Sequence, residues 1–291
     1  MLAVVTGATG GLGYEVSAAL AQAGHDVVLA GRNAEKGAAA LDRLKQRKPA
    51  GQARFAMLDL ASLASVRAFA AGVDGPVGLL VNNAGVMAPD KRQVTEDSFE
   101  LQMGTNYFGH YALTALLAPR LIQGRARVVQ VSSLAHRQAR LDWSDLQGEK
   151  RYGPWKQYGQ SKLAMLMFAL ELDRRARAAG WPLVSVAAHP GWAVTDIIAN
   201  GPGGGAPGLR EKLFQSAFKL FGQSAMAGAR PILHAGLAGG ITGGMYWGPD
   251  GSGERTGAPS PSRIMPLALD EANASRLWER SALVTGVAWP G

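Results

Sequence analysis

A tyrosine and a lysine stand four residues apart in "YGQSK" at 158–162, at the head of a long apolar run. On a helix, positions i and i+4 share one face. A phenol titrates at about 10 and is a poor proton carrier at neutral pH, but a neighbouring cation favours its phenolate and lowers that value. Tyr158 with Lys162 in reach is therefore suited to moving a proton to or from an oxygen. The same spacing fits one turn of an ordinary amphipathic helix, and the pentapeptide leaves both readings open.

A second stretch with chemical capacity is "TGATGGLG" at 6–13. Gly7, Gly11 and Gly13, with Thr9 and Leu12 among them, allow a tight turn and the close approach of a phosphate to bare backbone. A helix starting there offers unpaired N–H groups and partial positive charge to a pyrophosphate. The spacing is T-G-x-x-x-G-x-G; Val16 stands where G-x-G-x-x-G needs its last glycine, and no Walker lysine follows. Downstream, "LAGRN" places Gly31 where an acid would hold the ribose hydroxyls of NAD, and Arg32 follows. A carboxylate repels a 2′-phosphate and a guanidinium binds it bidentately, so the cofactor expected is NADP(H).

Positioning these residues requires a particular set of elements. Apolar runs at 2–6, 26–30, 53–60, 77–82, 126–133, 183–189 and 243–249 read as strands. Patterns at 11–24, 33–48, 62–73, 95–122 and 155–179 read as helices, with Thr95 as an N-cap. The strands are continuous in valine and leucine rather than alternating, so both of their faces are covered. Strands separated by helices of this length form βαβ units. The fold expected is α/β, a doubly wound parallel sheet of about seven strands with helices on both faces. No repeat or linker divides the chain, so one domain over 1–291 is expected, its cofactor-binding part at about 1–135. The loop "NGPGGGAPG" at 200–208 belongs to a substrate loop over about 197–230. The helices at 95–122 and 155–179 are apolar on more than one face, which suits either a homodimer or burial in a monomer.

Composition excludes other classes. The 291 residues contain no cysteine, which removes disulfides, thiolate nucleophiles and cysteine–metal sites. The five histidines are scattered without zinc-ligand spacing, and no metal is expected. The net charge of +8 is spread along the chain rather than gathered in a patch, which argues against nucleic acid. No apolar stretch reaches the span of about 20 residues needed to cross a bilayer. With no signal-peptide pattern at the N-terminus, a cytoplasmic protein is expected.

The motifs "TGATGGLG", "LDL" at 58–60, "NNAG" at 82–85, "VSS" at 131–133, "YGQSK" and "HPGWAVTDI" at 189–197 occur in one order. Together they resemble the short-chain dehydrogenase/reductase family, with its Rossmann-type fold, over nearly the whole chain. The segments 136–164 and 266–286 are similar to its retinol dehydrogenase-like branch. That resemblance implies hydride transfer between the cofactor and an alcohol/carbonyl pair, with a bulky apolar substrate. It implies Tyr158 as general acid/base, Lys162 tuning it and binding ribose, Ser133 polarising the carbonyl, and Asn106 holding a water that links Lys162 to solvent. Asp59 and Leu60 would contact adenine, while Asn83, Ala84 and Gly85 line the cofactor's path. Pro190 and Gly191 flank the nicotinamide, and Thr195 bonds its carboxamide or the pyrophosphate. Membrane-bound members carry an N-terminal anchor and this chain begins at its first strand, so a membrane-dissolved retinoid is not the substrate expected. The competing class is an NADP(H)-binding regulatory or scaffold protein that has lost turnover.

Overall fold

The computed structural model describes residues 1–193 and 222–290. Seven strands are parallel: β1 (Leu2–Thr6), β2 (Asp26–Gly31), β3 (Ala53–Met57), β4 (Val77–Asn82), β5 (Arg127–Val131), β6 (Val184–Ala188) and β7 (Tyr246–Pro249). An eighth, β8 (Pro259–Pro261), pairs antiparallel with β7 and gives the order β3-β2-β1-β4-β5-β6-β7-β8. A three-residue strand with prolines at both ends carries no run that a sequence pattern would register, and it lies at the sheet edge, where proline is tolerated.

The chain order reverses between β1 and β4. Ligands of open α/β sheets bind at such a switch point, beyond the carboxyl ends of the strands. On one face pack α1 (Gly11–Gln22), α2 (Ala34–Gln46) and α6 (Ala225–Leu237), through Val16, Leu20, Leu44 and Ile232. On the other pack α3 (Leu63–Ala71), α4 (Gly109–Gln123), α5 (Pro154–Ala178) and α7 (Glu271–Thr285). Strand β1 shows why its run is unbroken: Ala3 and Val5 enter the first core and Val4 the second. Local signals set several starts. Asn33 caps α2 by accepting from Lys36 N–H at 2.8 Å, and Ser62 caps α3 through Ser65 N–H.

One helix departs from expectation. The pattern at 95–122 suggests a helix capped by Thr95, yet Thr95 sits in a reversal in which Val94 bridges Glu100 and Thr95 N–H donates to the Phe99 carbonyl. Glu100 caps instead, accepting from Met103 N–H at 2.8 Å. The chain then widens into a π-helical turn over Met103–Phe108 before α4 begins. The expected strand at 53–60 ends at Met57, because Asp59 folds the chain back by accepting from Ala61 N–H. The loop at 200–208 and most of 197–230 lie outside the described residues.

The apolar second faces of α4 and α5 are packed within the chain. Tyr111 and Phe168 meet Trp278 of α7 at centroid distances of 5.4 and 5.7 Å, and Trp289 stacks on Trp181 at 5.8 Å. Among the described residues no helix is long and apolar enough to cross a membrane.

Candidate active site

The glycine turn lies where β1 meets the end of β4. Gly7 has φ +65°, and a Cβ there would lie 2.8 Å from Ala84 Cα. A Cβ on Gly13 would collide with the Gly7 carbonyl. These glycines are thus required by the contact between the turn and the Asn83–Ala84 segment. Helix α1 begins at Gly11 with Gly10 as its N-cap and no side-chain cap, so among the described residues no side chain caps its first N–H groups. Such a bare helix start suits an anion, and the cradle fits a pyrophosphate. Arg32 is exposed just beyond β2. A Cβ on Gly31 would sit 2.9 Å from Thr9 Cγ2, so the position expected for an acid has no room for one without displacement. Leu60 is buried and Asp59 is partly exposed beside it.

Thr6 ties the two strand ends together. Its hydroxyl oxygen accepts from Asn83 N–H and Ala84 N–H, each at 2.9 Å, and Asn83 Nδ2 donates to the Thr6 carbonyl at 2.8 Å. The Thr6 hydroxyl proton goes to His110 Nε2 at 2.8 Å, because His110 Nδ1 carries the ring proton and donates it to the Asn106 carbonyl at 2.8 Å. Burial pushes the His110 pKa down to about 3, with the Lys162 charge acting in the same direction, so the ring is neutral.

Asn106 stands inside the π-helical turn. Its Oδ1 accepts from Val86 N–H at 2.8 Å, and its Nδ2 donates to the Val86 carbonyl at 3.0 Å and to Ser161 Oγ at 2.9 Å. Gly85 separates it from Lys162: a Cβ on Gly85 would lie 3.1 Å from Asn106 Oδ1 and 3.5 Å from Lys162 Nζ. The fold therefore brings Asn106, Lys162 and the "NNAG" turn to one place.

Ser133 follows β5 and caps the short 3₁₀ turn Leu134–Gln138, accepting from Ala135 N–H at 3.2 Å. It borders the same cavity as Tyr158. Ser132 points away and donates to the Lys162 carbonyl at 2.8 Å. Tyr158 and Lys162 lie one turn apart near the start of α5 and both are buried. Burial pushes Tyr158 up to about 12, with the Ser133 side chain opposing, and pushes Lys162 down to about 8. The expected lowering of Tyr158 by Lys162 is not what the structure shows. The ammonium donates to the Val131 carbonyl at 3.1 Å and lies 5.8 Å from the phenol ring centroid, so desolvation outweighs it.

These groups open on a cavity of about 720 Å³. Asn83, Pro190 and Gly191 border it beside Ser133, Tyr158 and Lys162, while Met87, Trp155 and Trp192 form apolar wall. Gly191 has φ +62°, and a Cβ there would strike the Arg255 carbonyl. Thr195 lies outside the described residues.

Some contributors carry no local signal. His110, His136 and His189 are buried and each fixes a turn of the site, although a lone histidine reads as packing. Gly159 and Gln160, silent as sequence, hold the 134–147 segment. A Cβ on Gly159 would sit 3.0 Å from the Ala135 carbonyl, and Gln160 accepts from Asp142 N–H at 2.8 Å while donating to the Leu146 carbonyl at 2.9 Å. Ser161 donates to the Tyr158 carbonyl and accepts from Asn106.

The family model described as short chain dehydrogenase matches residues 1–201. Retinol dehydrogenase 12 of Homo sapiens is 34% identical over 98% of this chain and 86% of its own length. Polyprenol dehydrogenase of Mus musculus is 43% identical over 68% of this chain, and the match spans 62% of that protein. A crystal structure of an uncharacterized protein from Mycobacterium Paratuberculosis superposes with a TM-score of 0.80 at 38% identity, covering 100% of this chain and 95% of that one. The family's name and those of these relatives are those of dehydrogenases, oxidoreductases that interconvert alcohols and carbonyls. The chain belongs to the short-chain dehydrogenase family, in its retinol dehydrogenase-like branch.

Proposed function

We propose that this protein is a single-domain, cytoplasmic NADP(H)-dependent oxidoreductase that interconverts a bulky apolar alcohol and its carbonyl. The observation that carries the reading is that Ser133, Tyr158 and Lys162 line one cavity together with the Pro190–Gly191 turn. The uncapped start of α1 would hold the pyrophosphate, Arg32 the 2′-phosphate, and Asp59 with Leu60 the adenine side. Asn83 to Gly85, Pro190, Gly191 and Thr195 would border the nicotinamide half. Bound there, the cofactor supplies or accepts the hydride.

The chain's own groups do the rest. The Ser133 hydroxyl would donate to the substrate oxygen as negative charge develops on it. Tyr158 would pass its phenolic proton to that oxygen in reduction, or take it in oxidation. Lys162 would bind ribose, and Asn106 would support the path by which the proton is replaced. Met87, Trp155 and Trp192 suit an apolar substrate body, in keeping with the names of the polyprenol and retinol dehydrogenases among the relatives. A homodimer would have to form outside the faces of α4 and α5 that α7 covers.

The test is NADPH oxidation by the purified protein over a panel of apolar aldehydes and ketones, with NADH and Tyr158→Phe in parallel. Turnover in the wild type and its loss in the variant are expected. NADPH binding without turnover on any member would return the binding-only reading.

A further inference from the structure

Behind the Pro190–Gly191 turn lies a charged cluster that borders neither cavity nor solvent fully. Arg137 stands four residues after Ser133, on the turn that Ser133 caps. Its Nη2 pairs with Glu254 Oε2 at 2.7 Å, and its Nη1 reaches the Gly253 carbonyl at 3.4 Å. His189 immediately precedes Pro190, and its ring is fully buried. Gly191 N–H donates to His189 Nδ1 at 3.2 Å, which places the ring proton on Nε2. Nε2 donates it to the same Glu254 Oε2 at 2.9 Å. Ser262, just past β8, donates its hydroxyl to that oxygen as well. One carboxylate oxygen thus gathers the Ser133 turn, the Pro190–Gly191 turn and the sheet edge.

The backbone is shaped for this. Gly253 and Glu254 are both left-handed, at φ +63° and +57°. A side-chain-bearing residue is strained there and persists where the surroundings enforce it. The next residue repeats the clamp: the Arg255 carbonyl accepts from Trp192 N–H at 2.7 Å, and its guanidinium covers the Trp192 ring at 4.4 Å. Burial raises the Glu254 pKa, but the bonds from His189 and Ser262 and the Arg137 charge outweigh it and hold the group down at about 2, so the clamp is ionised at neutral pH.

We propose that Glu254 is a positioning residue: through Arg137 and His189 it fixes the Ser133 hydroxyl relative to the turn that flanks the nicotinamide. This rests on the dehydrogenase reading above. Neither Glu254 nor Arg137 borders the cavity, so the effect on chemistry passes through Ser133 and Pro190–Gly191.

The experiment compares wild type, Glu254→Gln, Arg137→Met and the double variant. It uses steady-state kinetics with NADPH and 4-deuterated NADPH, and amide hydrogen exchange. Glu254→Gln should lower kcat about 10–100-fold, because a misplacement near 1 Å costs that much. The carbonyl KM should change less than about threefold, and the deuterium isotope effect should rise as hydride transfer becomes rate-limiting. Exchange should quicken together in peptides over 133–138 and 189–193, with the 6–13 turn unaffected. The double variant should lose no more than the worse single one, as expected for groups acting through one contact. Unchanged kcat with intact wild-type turnover overturns the role of Glu254, as does unchanged exchange, or strictly additive losses. If Glu254→Gln does not fold, Arg137→Met decides, since it leaves the His189 bond in place. A wild type that turns over no carbonyl removes the dehydrogenase reading itself, and the positioning role with it.

Discussion

Lys162 donates to the Val131 carbonyl at 3.1 Å while its ammonium stands 5.8 Å from the centroid of the Tyr158 ring. The lysine is thus tied to the end of β5, next to Ser133, as well as to its own helix. It is buried with no carboxylate partner among the described residues, which sets a conflict between stability and the role proposed for it.

Replacing Lys162 by methionine should stabilise the cofactor-free protein at pH 7. The folded-state pKa of about 8 lies below the reference 10.5, so the unfolded chain binds the extra proton between those values. Stability should therefore rise with pH across that window, and the penalty is fully present below it. The shift corresponds to a cost on the order of 3 kcal/mol. Thermal melts at pH 7 and pH 10 check this. Lys162→Met should melt higher at pH 7, with the difference shrinking at pH 10, while turnover is lost. A variant that melts lower at pH 7 would contradict the sign.

Tyr158→Phe should cut turnover by roughly 10²–10⁴-fold, the range of general acid–base contributions. The phenol lines the cavity with Ser133 and takes no part in the glycine turn, so NADPH affinity measured by fluorescence should change little. Full activity in this variant would remove Tyr158 from the mechanism.

Arg32→Ala should weaken NADPH far more than NADH. A charge-assisted bond is worth about 1.5–3 kcal/mol, so a loss of roughly 10–100-fold in NADPH affinity is expected. Equal losses for both cofactors in titration calorimetry would remove the 2′-phosphate assignment.

Gln160→Ala should destabilise without touching the reacting groups. Gln160 is fully buried and serves Asp142 N–H, the Leu146 carbonyl and Gln157. Leaving those partners unpaired costs about 1–3 kcal/mol. Urea unfolding should show the loss, with cofactor affinity retained.

Much of this protein was legible along the chain because its signals are local. The unbroken valine runs mark the doubly covered sheet and the Tyr158–Lys162 spacing marks the shared helix face, while the glycine turn marks a close backbone contact whose partner, the Asn83–Ala84 segment, only the fold supplies. The Thr95 boundary failed because its cap competes with a reversal closed by Val94 and Glu100, while Glu100 supplies the helix start. Contacts across the fold decided the rest. Thr6 meets His110 across 104 residues, and His189 meets Glu254 across 65, so neither pair leaves a periodic trace. The state of the central pair was likewise settled only by packing: spacing puts a cation beside a phenol, but burial raises one pKa and lowers the other. Desolvation depends on everything that surrounds a group, and only the assembled fold specifies that.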